Sequence, residues 1–151
     1  MANDELKEEK DKVGAGEDNQ ILQSSNILKQ GSPDYQTKLI SHIFDIIDKG
    51  DIEYLKQKVR EMGISNLEEL GAMVDVESQS QNALFISCII TNREQAFTMT
   101  KFLIEEAKCE ANFKDCLNQT CLFYVSRDGR PDIVELLLAH GCEANHFDTY
   151  L

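Results

Sequence analysis

Two stretches of this chain nearly repeat each other, Cys109-Glu-Ala-Asn-Phe-Lys-Asp115 and Cys142-Glu-Ala-Asn-His-Phe-Asp148, in register at an offset of 33 residues. A fixed period in the range of about 20–50 residues marks a stack of supersecondary units, each too small to bury its apolar side alone. Each unit is covered by the next. The core of such a chain runs along a line of stacked units and does not gather at one centre.

The composition permits this and removes several function classes. In 151 residues, 42% are hydrophobic, enough for a core. The apolar stretches are short, Ala83-Leu-Phe-Ile86 being typical, so no membrane span fits. The start, Met1-Ala-Asn-Asp-Glu-Leu-Lys, lacks the apolar core of a signal peptide, and its second residue is not the glycine of a myristoylation site. An intracellular location, cytoplasmic or nuclear, is therefore expected. Five cysteines, an odd number without a CxxC pair, read as reduced thiols and not as a secreted disulfide framework. With 27 acidic and 15 basic side chains the net charge is −12, which repels a phosphate backbone. Direct nucleic-acid binding is excluded on this ground, and basic partners are preferred.

Residues 1–31 are rich in Lys, Glu, Asp, Asn, Gln and Gly, which predicts an acidic, mostly mobile N-terminal segment, with a short helix over 19–29 where Ile21, Ser25 and Leu28 share a face. Ser32-Pro33-Asp34 then reads as a helix start: an N-cap, a proline where its missing N–H is harmless, and an acid at the positive end of the dipole. Leu39, Ile40, Ile43, Phe44, Ile46 and Ile47 continue it at helical spacing, and Lys49-Gly50-Asp51 ends it. A second helix is expected from Ile52 to Met62, with Tyr54, Leu55 and Val59 inward. A short extra turn or helix follows at about Asn66–Leu70. Further helix pairs are expected at Asn82–Thr91 with about Ala96–Glu106, and at Thr120–Asp128 with Pro131–Ala139.

The stretch Asn118-Gln-Thr-Cys-Leu-Phe-Tyr-Val-Ser-Arg-Asp-Gly-Arg-Pro-Asp-Ile-Val-Glu-Leu-Leu-Leu-Ala-His-Gly-Cys-Glu-Ala-Asn145 resembles the ankyrin repeat pattern G-x-T-P-L-H-x-A-A-x-x-G-H-x-x-I-V-x-L-L-L-x-x-G-A-x-x-N along its whole length. Within it Thr120 is placed to cap the first helix and Leu122 to fill the core between units. Val125 and Ser126 take small-residue positions, Gly129 the inter-helix turn, and Gly141 the left-handed exit. Upstream the match is looser: Gly71-Ala-Met-Val-Asp75 is similar to the G-A-x-V-N exit and Asn82-Ala-Leu-Phe85 to T-P-L-H. About four extra residues then fall between the helices and one more before Cys109.

The resemblance implies an all-α ankyrin solenoid over 32–151 with short β-hairpin-like loops. Its divisions are a degenerate capping repeat over 32–70, a second repeat with an insertion over 71–108, the best repeat over 109–141 and the start of another over 142–151. Because Asp148-Thr-Tyr-Leu151 opens a further hairpin without a cap, the array is expected to continue in a longer protein.

No catalytic or metal centre is expected. Cys109, Cys116, Cys121, Cys142, His140 and His146 are ligand types, but Cys109 and Cys142 fall at one position of successive layers. Such layers stand about 10 Å apart, far beyond a shared zinc with sulfur bonds of about 2.3 Å. His42, His140 and His146 have no nucleophile or carboxylate constellation in the sequence, and no cofactor is implied.

What the family resemblance implies is protein binding along the concave surface, through hairpin tips and the exposed side of the first helices. Carried over position by position, this gives Ser78, Gln79, Gln81, Ile89, Ile90, Cys116, Leu117, Gln119, Arg127, Asp128, Thr149 and Tyr150, with a preference for basic or extended partner segments. Exposed apolar and aromatic groups at Leu117, Ile89, Ile90 and Tyr150 would carry most of the contact. Two other readings stand beside it. The array could be the regulatory or targeting arm of a larger enzyme, such as a kinase, ubiquitin ligase, acyltransferase or SET-type histone methyltransferase, or it could be a structural spacer.

Overall fold

The computed structural model of the chain describes residues 32–150. The segment 1–31, with the helix expected at 19–29, and Leu151 lie outside the described residues. The chain divides into two compact units after Leu39. Of the first, the described part is the opening of helix α1 (Pro33–Asp48), where Ser32 Oγ accepts the Tyr35 N–H at 3.3 Å and Asp34 pairs with Lys38 at 3.0 Å. The expected cap is thus in place. That ion pair is exposed, so it contributes at most about 1 kcal/mol.

In the second unit α1 continues with Ile43, Phe44, Ile46 and Ile47 buried. The chain reverses at Gly50, whose φ of +74° is left-handed, and the Asp51 carboxylate accepts the Tyr54 N–H at 3.0 Å to start α2 (Ile52–Glu61). Leu55 and Val59 are buried. Tyr54 is half-buried, with the ammonium groups of Lys49 and Lys58 each 5.5 Å from its ring. The next elements are α3 (Leu67–Gly71), capped by Asn66, then β1 (Val74–Asp75) and β2 (Gln81–Asn82), an antiparallel ladder with Val74 opposite Asn82. Two helix pairs follow: α4 (Ala83–Ile89) with α5 (Arg93–Glu105), and α6 (Cys121–Arg127) with α7 (Pro131–Ala139).

Helix α4 packs on α6 and α5 on α7, so first helices lie beside first helices and second beside second. The core follows this stacking through Leu84, Phe85, Met99, Leu103, Val125, Ile133 and Leu137, all buried. One polar pair is enclosed, Ser87 Oγ and Thr100 Oγ1 at 2.9 Å, and it joins α4 to α5 without an unmet donor.

The residues expected between the two helices of the second pair lie inside a helix instead. The turn Ile90-Thr-Asn92 is matched in length by Asp128-Gly-Arg130, but α5 has 13 residues where α7 has 9. Asn92 caps the Gln95 N–H at 3.0 Å, so the polar Arg93-Glu94-Gln95 becomes the exposed first turn of α5. Four added residues make close to one turn of 3.6, which leaves Met99, Phe102 and Leu103 on the inward face. An insertion of another length would have rotated them out.

Three smaller expectations also change. Gly71 is not a left-handed exit but a helical residue packed against the turn after α5, and a Cβ there would stand 1.9 Å from the Ala107 carbonyl oxygen. The left-handed exits are Gly63, at φ +76°, Lys108, at φ +56°, and Gly141, at φ +89°. Thr120 makes no side-chain cap; its hydroxyl takes a contact from the Cys142 thiol at 3.6 Å. Ser126, expected at a close helix approach, is exposed.

Candidate partner-binding face

The hairpin tips are joined into one strip by backbone hydrogen bonds. The Cys116 N–H donates to the Gln79 carbonyl at 2.8 Å, and the Thr149 N–H to the Leu117 carbonyl at 3.1 Å. These are the same bond one unit later: Thr149 follows Cys116 by 33 residues, and Leu117 follows Gln79 by 38, as α6 follows α4. Further ties run from Asn118 Nδ2 to the Phe147 carbonyl at 2.9 Å and from His146 Nε2 to the Asn118 carbonyl at 2.7 Å.

Asp115 organises the middle tip. One carboxylate oxygen accepts the Leu117 and Gln119 N–H groups, each at 2.9 Å, while the other accepts the Tyr124 hydroxyl at 2.8 Å. Gln81 Nε2 reaches the Tyr124 oxygen at 3.2 Å, and the Tyr124 ring meets Phe85 edge-on at 5.5 Å between centroids. Burial, then the hydrogen bond to Asp115 and its charge, push the Tyr124 phenol up to about 12. In the next tip Asp148 accepts from Gln119 Nε2 at 2.7 Å and from the Tyr150 N–H at 3.0 Å, and these bonds hold its carboxyl below the usual range.

The expected contact residues do not all share one status. Ser78, Gln79, Cys116 and Thr149 are exposed on the tips, and Tyr150 is 76% exposed. Leu117 is half-buried. Gln81 and Gln119 are half-buried and engaged in the bonds just described. On the first helices Ile89 is exposed, and Arg127 lies over the Tyr124 ring at 5.5 Å with its Nε 3.0 Å from the exposed Asp128. Ile90 is a correction. It is 3% exposed because the chain turns inward after α4, where Arg130 Nη2 holds its carbonyl at 2.8 Å. Its side chain is withdrawn from the surface.

Two exposed apolar groups were missed by the sequence reading, Val76 at 68% and Phe147 at 67%. Val76 had a usable signal, a lone β-branched residue amid the polar residues of a tip. Asp115 and Tyr124 were missed for another reason: their partnership joins a tip to a helix and is a tertiary fact.

With this geometry in view, the comparison with known families is decisive. The family model for ankyrin repeats in three copies matches residues 47–148. The chain belongs to the ankyrin repeat family. No solved structure matches it. Ankyrin repeats are generally protein–protein interaction modules, and the mostly helical fold with one two-stranded ladder among the described residues is that of such a solenoid. None of the described helices is long and apolar enough to cross a membrane.

Four ankyrin-core thiols are buried, Cys88, Cys109, Cys121 and Cys142, whereas Cys116 is exposed on its tip. Burial pushes Cys109 up to about 12, and burial followed by the neighbouring Cys88 thiol raises Cys121 well above the ordinary value. Because thiolates are the reactive form, a thiol reagent at mildly alkaline pH should label Cys116 rapidly and the buried four only on unfolding. Mass spectrometry of the native protein checks this, and fast multiple labelling would contradict it.

Proposed function

We propose that this ankyrin array recognises a partner protein on the strip formed by its hairpin tips and the exposed side of α4 and α6. The supporting observation is where large apolar side chains remain in water. Val76, Tyr150 and Phe147 lie on the tips and Ile89 on α4, each at least 47% exposed; elsewhere among the described residues only Leu138, on α7, shares that status at 40%. Exposed apolar groups on a rigid surface are the usual anchors of contact sites.

The strip is preorganised. Its amides and carboxylates are already bonded to each other, so little ordering is required on binding. It is also acidic, with Asp75, Glu77, Asp128 and Asp148 against Lys114 and Arg127, on a chain of net charge −12, and this favours a basic partner segment.

Leu117→Asp combined with Tyr150→Asp should reduce capture of a partner from cell extract by at least about tenfold, since losing one anchor costs on the order of 2 kcal/mol. Circular dichroism should stay unchanged. Undiminished capture by a folded double variant would remove this face from consideration, and it is also the outcome that a spacer predicts.

A further inference from the structure

The last tip, residues 146–150, is tied down residue by residue. The Asn118 carbonyl accepts His146 Nε2 at 2.7 Å, Asn118 Nδ2 donates to the Phe147 carbonyl at 2.9 Å, Gln119 Nε2 donates to Asp148 at 2.7 Å, and the Leu117 carbonyl accepts the Thr149 N–H at 3.1 Å. Four successive residues are each held by the middle tip, and three of the four bonds come from Asn118 or from the carbonyl just before it.

The backbone at Asn118 makes this possible. It is left-handed, at φ +58°, and its N–H closes a turn onto the Asp115 carbonyl at 3.0 Å. Asparagine tolerates that region better than most residues, but glycine would meet the backbone requirement as well. What glycine lacks is the amide that holds Phe147. The counterpart on the first tip, Ser80, lies 38 residues earlier and is also left-handed, at φ +55°, with a hydroxyl in place of that amide.

The ties do not serve burial. Phe147 and Tyr150 leave this held backbone 67% and 76% exposed, whereas bonds that served only the core would cover them. A loop ordered in advance loses less entropy when a partner settles on it. Resting on the tip-face reading above, we infer that Asn118 is a positioning residue of the binding strip: its left-handed turn and side-chain amide fix the last tip so that Phe147 and Tyr150 are presented to the partner.

Variants of the whole protein test this by amide hydrogen exchange and by capture. The probe is the set of proteins retained from cell extract by the immobilised parent and lost when Phe147→Ala is combined with Tyr150→Ala. Asn118→Gly removes the amide but relieves the left-handed backbone, so its thermal midpoint should stay close to the parent's. Exchange at the Thr149 amide should nonetheless accelerate about fivefold and capture of the probe should fall about fivefold, the worth of one hydrogen bond. Asn118→Asp keeps the shape but offers the Phe147 carbonyl only acceptors, and it should act in the same way. Ser80→Gly makes the same backbone change on the first tip and should leave Thr149 exchange alone. A role in stability alone predicts instead that capture falls only as the thermal midpoint falls. That result, unchanged Thr149 exchange in both Asn118 variants, or undiminished capture despite faster exchange would each overturn the assignment and leave the tip face standing. A double-alanine variant that retains everything the parent retains would overturn the tip face, and the role of Asn118 with it.

Discussion

Gly71→Ala should destabilise the protein by about 3 kcal/mol, at the upper end of what overpacking usually costs. Ordinary propensity points the other way. Gly71 is helical, and in an open helix alanine would be favoured by about 1 kcal/mol. What decides the sign is the neighbour. The new Cβ would stand 1.9 Å from the Ala107 carbonyl oxygen, 2.9 Å from its carbon and 3.1 Å from the Cys109 nitrogen, all backbone atoms that no rotamer change can move. Either α3 must withdraw or the turn after α5 must shift, and that turn leads into the Cys109 stretch. Gly63→Ala is the contrast: open space surrounds it, and only its φ of +76° is against alanine, a cost of about 1–2 kcal/mol. Urea denaturation of the two variants separates them. A stabilised Gly71→Ala would show that α3 does not pack as described.

Asp115→Ala should cost about 3 kcal/mol and loosen the middle tip. Hydrogen bonds to a charged acceptor contribute about 1.5–3 kcal/mol each, and Asp115 receives three donors, the Leu117 and Gln119 amides and the Tyr124 hydroxyl. The three bonds share one carboxylate and are not additive, so the sum of three is not expected. Amide hydrogen exchange at Leu117 and Gln119 should accelerate, and capture of the partner should fall with it.

The same substitution has a titration signature. The folded phenol of Tyr124 is raised from 10.0 to about 12, so the native state holds this proton more tightly than the unfolded chain does. Its contribution to stability is therefore complete below about pH 10 and is lost as pH rises towards 12. In Asp115→Ala the hydrogen bond and the negative charge that help raise it are gone, and the Tyr124 transition should move back towards 10. An unmoved transition would mean that Asp115 does not hold the hydroxyl.

Much of the fold is legible in the chain because ankyrin units are built from local rules. Ser32-Pro33-Asp34 announces a helix start and its cap acts as expected, while Asp51 and Asn66 cap the helices that follow them by the same local chemistry. Gly129 and Gly141 mark reversals with φ of +63° and +89°. Where local rules offered two outcomes, the reading failed. Arg93-Glu94-Gln95 is as acceptable in a loop as in an exposed helical turn, and only the burial of Met99 and Phe102 further along makes the helix the better choice. Gly71 looked like an exit because glycine serves both left-handed turns and close approach, and the sequence does not show which.

The candidate face divides along the same line. Its location on the tips followed from the repeat register, since a residue's place in the unit is set by counting from the duplicated Cys-Glu-Ala-Asn stretch. Exposure within it did not. Ile89 and Ile90 are neighbours of equal hydrophobicity, yet one is 47% exposed and the other 3%, because the chain bends between them and Arg130, from the next unit, grips the Ile90 carbonyl. The sequence by itself thus determined the period, the helices and the side of the array on which tips fall, all consequences of patterns within one unit. Tertiary structure alone decided which tip residues meet water, how Asp115 and Tyr124 lock the middle tip, and why Gly71 tolerates no side chain. These depend on groups from different units, whose approach is fixed by stacking and leaves no mark in the local pattern.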